Sequence, residues 1–312
     1  MWDQKRYHSL DYELKKLYGR KIYKLSLSGG MTCPNRDGTL DTRGCIFCSE
    51  GGSGDFAAGC HSGITKQIEE AKLLVSAKLA DPDNTGYIAY FQSYTNTYAP
   101  VEYLSSIFYE AINHPDIVIL SIATRPDCID EEILDLLTKL NRIKPVWIEL
   151  GLQTTHEESA VFMRRGYSLK VFEDCVHALH QVGLPVIVHT ILGLPKESKH
   201  DMLETMEYIS TLPVQGIKLQ LLHILKGTDL GQLYEEGSLK ETLTLDAYVD
   251  IVISCIERLP EELVIHRITG DGPKKLLLAP LWSGNKKLVL NRIHSQMKER
   301  DTYQGKLYHY PI

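Results

Sequence analysis

The sequence lacks any run of eighteen or more apolar residues, the length that a membrane-spanning helix needs. Its first 21 residues carry too many charges for a secretory signal, which requires an apolar middle. We therefore expect a cytoplasmic protein with no membrane partner. No fixed repeat, low-complexity segment or obvious linker interrupts the chain, whose 312 residues suffice for one large domain or two modest ones.

The sequence also lacks an overall positive charge. It has 34 Lys and Arg against 40 Asp and Glu, and a net charge of -6 does not indicate a polyanion as partner. The charge is nevertheless uneven, because residues 273–306 carry eight basic side chains against Glu299 and Asp301. Such a segment can bind nucleic acid, although a solvated helical face explains it more often. The basic side chains are Lys274, Lys275, Lys286, Lys287, Arg292, Lys298, Arg300 and Lys306.

Apolar runs rich in β-branched residues alternate with segments of helical period. The predicted strands are residues 21–28, 86–93, 117–125, 146–153, 186–193 and 216–225. Helices are predicted between them, for example over 64–80 and over 168–183, where Ser168 is the N-cap and Gly183 ends the helix. Strands that are apolar on both faces and joined through helices indicate a parallel sheet, either open and doubly wound or a full or partial barrel. A further strand is predicted within 262–273.

Polar side chains follow or end each of the six predicted strands. Functional groups of α/β folds gather at the carboxyl ends of parallel strands, so these side chains should converge on one mouth. The polarity of loops alone would explain about half of the positions. The positions are the cysteine loop after the first strand, Gln92, Ser93, Tyr94, Asn96 and Tyr98 after the second, Thr124, Arg125 and Asp127 after the third, Glu149 and Gln153 in the fourth, His189 and residues 193–197 in the fifth, and His223 in the sixth.

Three cysteines follow the first strand, with eleven residues between Cys33 and Cys45 and two between Cys45 and Cys48. In a reducing compartment clustered cysteines are metal ligands or redox groups rather than disulfide partners. A zinc site would need a fourth ligand such as Cys60 or His61, and the loop has only one CxxC knuckle. An iron-sulfur cluster on three thiolates would leave one iron open to a small molecule. Spacing and placement favour the cluster.

The cysteine segment CPNRDGTLDTRGCIFC, together with FQSYTNTY, ATRPD, ELGLQTT, RRGY and HTILGLPKE, resembles radical S-adenosylmethionine (SAM) enzymes. The similarity extends over nearly the whole chain and is closest to the branch of YhcC and YtqA proteins, which is related to the catalytic subunit of Elongator. Most enzymes of this kind space the cysteines three and then two apart, and the longer first gap fits this branch. The resemblance implies an α/β fold, a partial (β/α)6 TIM-like barrel over 25–258. An N-terminal helical segment of residues 1–24 would precede it, and a basic C-terminal extension of residues 259–312 would pack on it.

The resemblance also implies the cofactors. Cys33, Cys45 and Cys48 would hold one 4Fe-4S cluster, whose open iron binds SAM. Reductive cleavage of SAM would give a 5'-deoxyadenosyl radical, with the electron from a low-potential donor such as flavodoxin or ferredoxin. The residues implied for SAM binding are Gln92, Ser93, Glu149, Gln153, Arg165, His189, Ile191 and Gly193. Candidates for substrate contact are Arg125, Asp127, Tyr94 and Tyr98.

Several of these residues have structural alternatives. Gln153 and Arg165 could form a local hydrogen bond, and Arg125 and Asp127 a structural ion pair. His189 could be a core histidine satisfied by a carbonyl group, and Gly193 could serve only in a turn. The remaining cysteines, Cys60, Cys128, Cys175 and Cys255, are isolated and are predicted as buried inert thiols, so a second cluster for sulfur insertion is not expected.

The resemblance points to tRNA as substrate, and to conversion of 5-carboxymethylaminomethyl to 5-aminomethyl on the wobble uridine. The basic C-terminal extension and a basic segment over 15–24 could hold phosphates, and Tyr94, Tyr98, Tyr303 and Tyr308 could stack on an extruded base. Two alternatives stay open. One is a radical enzyme that acts on a small metabolite, as the coproporphyrinogen-oxidising relatives do. The other is a non-catalytic RNA-binding module braced by a metal.

Overall fold

A computed structural model of the protein describes residues 1–52, 63–77, 79, 81, 84–270 and 272–308. Cys60 and His61, the candidate fourth ligands of a zinc site, lie outside the described residues. The strands of the described chain are β1 (Ile22–Leu27), β2 (Gly86–Phe91), β3 (Ile117–Thr124), β4 (Val146–Gln153), β5 (Val186–Leu192), β6 (Gly216–Leu221), β7 (Ile224–Leu225), β8 (Val264–Arg267) and β9 (Leu277–Ala279).

The helices of the same described chain mostly connect these strands. They are α1 (Leu10–Tyr18), α2 (Ile64–Ser76), α3 (Val101–Asn113), α4 (Glu131–Asn141), α5 (Glu157–Phe162), α6 (Leu169–Gln181), α7 (Lys199–Ser210), α8 (Asp229–Glu235), α9 (Leu245–Arg258) and α10 (Lys286–Glu299). Helix α6 begins as the sequence predicts, because the Ser168 hydroxyl accepts a hydrogen bond from the backbone of Val171 at 3.4 Å. None of the described helices has the length and apolar content to cross a bilayer.

Seven strands form one parallel sheet in the order β1-β2-β3-β4-β5-β6-β8. The six predicted strands are all present, and the seventh, β8, comes from the segment 262–273. Each strand lies beside its predecessor in this order, and the two edge strands, β1 and β8, do not pair with each other. The sheet is therefore an open, partial barrel, which confirms the predicted fold class, and it includes one strand beyond residue 258.

The two faces of the sheet differ in polarity. In β6, Ile217 and Leu219 are fully buried in the apolar core. Lys218 and Gln220, which alternate with them along the strand, line a cavity on the other face. The same alternation holds in β4, where Glu149 faces the cavity. The expectation that these strands are apolar on both faces is therefore wrong for the inner face.

The outer face of the sheet packs on the helices. Phe91 of β2 and Phe108 of α3, both fully buried, meet edge to face with ring centroids 5.1 Å apart. Burying one such side chain stabilises the fold by about 1.5–3 kcal/mol. The core thus lies outside the barrel sheet, and the inner face is left for a site.

The edge of β8 is covered by the two ends of the chain. The backbone of Ile265 donates to the carbonyl of His8 at 2.7 Å, and the backbone of His8 donates to Oε1 of Gln304 at 2.8 Å. The Gln304 amide also donates to the carbonyls of Pro260 and Leu263 at 2.6 and 2.8 Å. These contacts occupy backbone groups that an edge strand would otherwise leave open.

Candidate active site

One cavity of about 1060 Å³ lies inside the partial barrel and reaches the carboxyl ends of its strands. The volume is at or above the upper end of the range usual for a single drug-sized ligand, so it can hold more than one small molecule. Among the described residues, eight cationic side chains and one carboxylate, Glu149, line it. The cations are Lys24, Arg36, Arg125, Arg165, Lys218, Arg267, Lys274 and Lys275.

All three cysteines of the predicted cluster line this cavity. Their loop is held by two side chains of its own. The Asn35 amide donates to the carbonyl of Arg164 at 2.7 Å and reaches Sγ of Cys45 at 3.4 Å. Arg36 donates to the carbonyl of Cys48 at 3.1 Å. The loop is therefore fixed against the segment after α5, which contains the RRGY sequence.

Gly166 makes this attachment possible. Its φ of +81° is a conformation that side chains rarely adopt, and a Cβ atom built on it would lie 2.9 Å from Oδ1 of Asn35. Glycine is required there both by the backbone and by the close approach.

The electrostatics of the thiols suit metal ligation. A hydrogen bond from Cys48, opposed by burial and helped by Asn35, Arg125 and Arg36, lowers the pKa of Cys45 to about 6. The same hydrogen bond and burial raise the pKa of Cys48 well above its usual value. The pair thus holds one thiolate readily, and the thiolate is the form that binds iron.

The three cysteine sulfurs are not all gathered at one point. Among the described residues their sulfur atoms do not all lie within 4.8 Å of one another, although Cys45 and Cys48 share a hydrogen bond. Three thiolates facing one cavity are a donor set that a 4Fe-4S cluster can use, with one iron left open.

Many of the predicted strand-end and SAM-binding residues converge on the cavity, including Thr124 and His223, but Asn96 and residues 194–197 are among those that do not. The lining includes Gln92, Tyr94, Arg125, Glu149, Gln153, Arg165, His189 and Ile191. Ser93, Asp127, Tyr98 and Gly193 are not in the lining, and Asp127 and Tyr98 face a second, shallower cavity of about 670 Å³.

Arg125 and Asp127 form a structural ion pair, which is the alternative to substrate contact. Two nitrogens of the guanidinium lie 2.8 and 2.9 Å from the carboxylate oxygens, and the third donates to the carbonyl of Arg165 at 3.0 Å. Because Arg125 is also buried, its first task is to join these two loops.

Arg165 likewise donates hydrogen bonds to backbone carbonyl groups. It donates to the carbonyls of Leu152, Thr154 and Tyr167 at 3.1, 2.8 and 3.0 Å. Gln153 has a φ of +63° and receives the Tyr167 hydroxyl at 3.4 Å. The two residues therefore lie at one corner of the cavity. Their assignment to SAM stays a prediction.

A charged cluster lies deeper in the barrel, and only two of its members were singled out from the sequence. Glu149 is fully buried, and each of its carboxylate oxygens receives two donors. Lys24 Nζ and Ser121 Oγ lie 2.8 and 2.7 Å from Oε1, while His189 Nε2, at 2.6 Å, and Lys218 Nζ contact Oε2. We call this set the floor cluster, consisting of Lys24, Tyr90, Ser121, Glu149, His189 and Lys218.

The four donors fix the ionisation of the floor cluster. Burial opposes the charge of Glu149, but Lys218, Lys24 and His189 outweigh it and hold its pKa well below the usual range. Burial, assisted by Lys218 and opposed by Glu149, lowers the pKa of His189 to about 4. His189 is thus a neutral donor to a carboxylate. All lone pairs of Glu149 are taken, so the role of Glu149 in SAM binding stays a prediction.

The basic C-terminal segment divides into two parts. On and after α10, Arg292 pairs with Asp246 at 3.1 Å and Arg300 with Asp250 at 2.6 Å. Lys274 and Lys275, by contrast, are exposed and stand at the cavity. The interpretation as a solvated helical face therefore fits α10 better than it fits the lysine pair.

The isolated cysteines that the structure describes lie in surroundings that disfavour the thiolate form. Cys175 and Cys255 are buried, as predicted, and Cys128 is only half-buried and faces the second cavity. Burial raises the pKa of each of these thiols to about 12.

Known proteins match nearly the whole chain. The family model of the Radical SAM superfamily matches residues 42–209, and that of the Radical_SAM C-terminal domain matches residues 214–299. YtqA of Bacillus subtilis is 45% identical over 305 residues, which are 98% of this chain and 94% of YtqA. YhcC of Escherichia coli K12 is 38% identical over 285 residues, 91% of this chain and 89% of YhcC.

More distant matches lead to Elongator. Elongator complex protein 3 of Homo sapiens is 26% identical over 199 residues, covering 61% of this chain and 36% of the human protein. The structure of Methanocaldococcus infernus Elp3 with an N-terminal deletion superposes with a TM-score of 0.67 at 16% identity, over 91% of this chain and 64% of that one. At this identity the likeness shows a shared fold, and the chain spans less than two thirds of the archaeal structure.

Proposed function

The chain belongs to the radical SAM superfamily, and we propose that this enzyme modifies the wobble uridine of tRNA, converting its 5-carboxymethylaminomethyl group to 5-aminomethyl. The observation that carries the proposal is one large cationic cavity, lined by three cysteines and flanked at its surface by exposed lysines. The similarity to Elongator complex protein 3 supports tRNA as the substrate class.

Cys33, Cys45 and Cys48 would hold the 4Fe-4S cluster, and SAM would bind beside it, against Gln92 and Gln153. When bound and reduced, these cofactors would supply a 5'-deoxyadenosyl radical that takes a hydrogen atom from the carbon between the amine and the carboxylate of the arm. Transfer of one further electron from that carbon to the oxidised cluster would leave an imine, which water would hydrolyse to the 5-aminomethyl group and glyoxylate. A low-potential protein such as flavodoxin or ferredoxin would provide the electron, in the cytoplasm.

The chain's own residues hold the cysteine loop and the corner with Gln153 in position. Asn35 and Arg36 hold the cysteine loop, as their contacts with Cys45 and Cys48 indicate. Arg165 fixes the corner that carries Gln153 through the carbonyls of Leu152 and Thr154. The cavity walls would keep water and stray hydrogen donors from the radical.

At the surface, Lys274 and Lys275 would contact phosphates of the RNA. A single uridine extruded from the anticodon loop would enter the cavity, where Tyr94 offers an aromatic face. Tyr98 has its hydroxyl 2.8 Å from Thr39 and faces the second cavity, so Tyr94 is the better candidate for stacking.

The test is a nucleoside assay. The protein is reconstituted with iron and sulfide without oxygen, reduced with dithionite, and incubated with SAM and tRNA that carries the 5-carboxymethylaminomethyl group. Mass spectrometry of the digested tRNA should show loss of that nucleoside and gain of the 5-aminomethyl form. Unchanged tRNA together with active SAM cleavage would overturn the proposed substrate and favour a small metabolite.

A further inference from the structure

The floor cluster has two lysines for one carboxylate. Lys24 and Lys218 share Glu149. Lys218 is buried, and the Lys24 side chain is 23% exposed. Burial, opposed by Glu149, lowers the pKa of Lys218 well below its usual value, so a second anion beside Lys218 would favour its charged form.

The lysines keep donors that point to no described acceptor. An ammonium group has three N–H donors. Lys218 Nζ uses two, toward Glu149 and toward the Tyr90 hydroxyl at 3.0 Å. Lys24 Nζ has Glu149 as its hydrogen-bond acceptor among the described residues, and it also lies 4.3 Å above the Tyr90 ring. Glu149 cannot accept more, because each of its oxygens already receives two donors.

The floor cluster faces the cavity below the carboxyl ends of the strands. All its members except Ser121 line the cavity. Lys24 and Lys218 each stand three residues before the end of their strand, and a strand rises about 3.3 Å per residue, so they lie about 10 Å below the strand ends. The cysteine loop follows the end of β1. The floor cluster therefore lies deeper in the barrel than the point at which the chain leaves β1 for the cysteine loop.

We infer that the floor cluster is a subsite for a carboxylate group of the substrate, bound by the ammonium groups of Lys24 and Lys218. This inference rests on the proposed function, under which the carboxylate is that of the carboxymethyl arm. Arg267, opposite Lys218 in the strand register and also in the cavity wall, adds to the positive field. With its end anchored on the floor, the arm stands between the lysines and the cysteines, where the reacting carbon must be.

Binding of two anticodon stem-loop RNAs tests the subsite. One carries 5-carboxymethylaminomethyluridine, and the other carries the same arm with its carboxylate replaced by a primary amide. Affinities are measured without oxygen, on the protein reconstituted with its cluster and SAM but not reduced. The wild type should bind the carboxylate RNA about tenfold more tightly, the effect of one charge-assisted contact.

The variants separate the floor from the surface. Lys218→Met and Lys24→Gln should bring the ratio of the two affinities close to one, and Lys24, being partly exposed, gives a variant that keeps the fold. Lys275→Gln should weaken the binding of both RNAs by the same factor and leave the ratio of the two affinities unchanged. Equal binding of both RNAs by the wild type, or an unchanged ratio in both floor variants, would overturn the subsite.

A second probe separates this inference from the proposed function. If neither RNA binds, tRNA is not the substrate, and the subsite is decided by calorimetry with iminodiacetate and its uncharged diamide. Saturable binding of iminodiacetate alone, weakened in Lys218→Met, would support a carboxylate subsite for another substrate. No binding of iminodiacetate would overturn the subsite.

Discussion

The two ends of the cavity are built in different ways. At the cysteine end, the proposed ligands come from one loop, which is held by neutral hydrogen bonds from Asn35 and by Arg36. At the floor, single residues from separate strands meet around Glu149, and the contacts are charged. The first end is suited to receive a metal group, while the second depends on a balance of buried charges.

Removing the central carboxylate should have the largest effect on stability. Glu149→Gln leaves two lysines without their counter-ion, and breaking a buried pair in this way costs about 3–5 kcal/mol. Ser121→Ala removes one hydrogen bond to the same carboxylate and should cost about 1 kcal/mol. Urea unfolding of both variants measures the difference. Equal costs would mean that the floor is not governed by charge.

The pH dependence of the free energy of unfolding should reveal that His189 is neutral in the folded protein. An unfolded histidine takes up a proton near pH 6.5, whereas the folded His189 does so only at about 4. Between these values the unfolded state binds the extra proton, so stability falls as the pH falls, by about 3 kcal/mol at pH 4.

The control for this prediction is His189→Gln. Its stability should fall less steeply between pH 6.5 and 4 than that of the wild type, since the titrating ring is gone. Parallel curves for the two proteins would show that His189 titrates normally and would break the account of the floor.

At the cysteine end, the prediction concerns the lack of space for a side chain at position 166. Gly166→Ala meets Asn35 at 2.9 Å and should destabilise the protein by about 1–3 kcal/mol and lower the iron retained after reconstitution. Gly183→Ala is the matched control, because Gly183 has a similar φ of +73° but nothing lies within 4 Å of the added Cβ. It should cost about 1 kcal/mol and leave the iron content unchanged. Loss of iron in both variants would contradict a specific role of Gly166.

The smallest effect is expected at the mouth. Lys274→Ala with Lys275→Ala should weaken tRNA binding and reduce its salt dependence by about one to two phosphate contacts. The same double change at Lys286 and Lys287, which lie on α10 away from the cavity lining, should have less effect. Filter binding at several salt concentrations decides between them. An equal loss from both pairs would assign RNA binding to the whole basic segment.

The sequence predicted the cysteine end far better than the floor. The three cysteines can be identified because their spacing is local, and the β/α alternation placed them at a strand end. The floor cluster depends on which strands are neighbours and on their register, which no local pattern specifies. Its signal was a lysine alternating with apolar residues in two strands, at Lys24 and Lys218.

The roles of the arginines depended on the loops in the same way. Arg125 binds a carbonyl group that comes within reach only when the loops after β3 and β4 meet, and Arg165 binds carbonyl groups at the two ends of the segment that contains α5. No spacing in the sequence shows such contacts. The polar residues were therefore found at the right edge of the sheet, while their partners were not.

The most direct test of radical chemistry at the cysteine end is the formation of 5'-deoxyadenosine by the reconstituted, reduced protein with SAM. Wild type and Cys175→Ala, which changes a buried cysteine of α6 outside the cavity, should both form it, and Cys45→Ala should not. Formation of 5'-deoxyadenosine by Cys45→Ala at the wild-type rate, or none by a wild type that retains zinc instead of iron, would contradict the account.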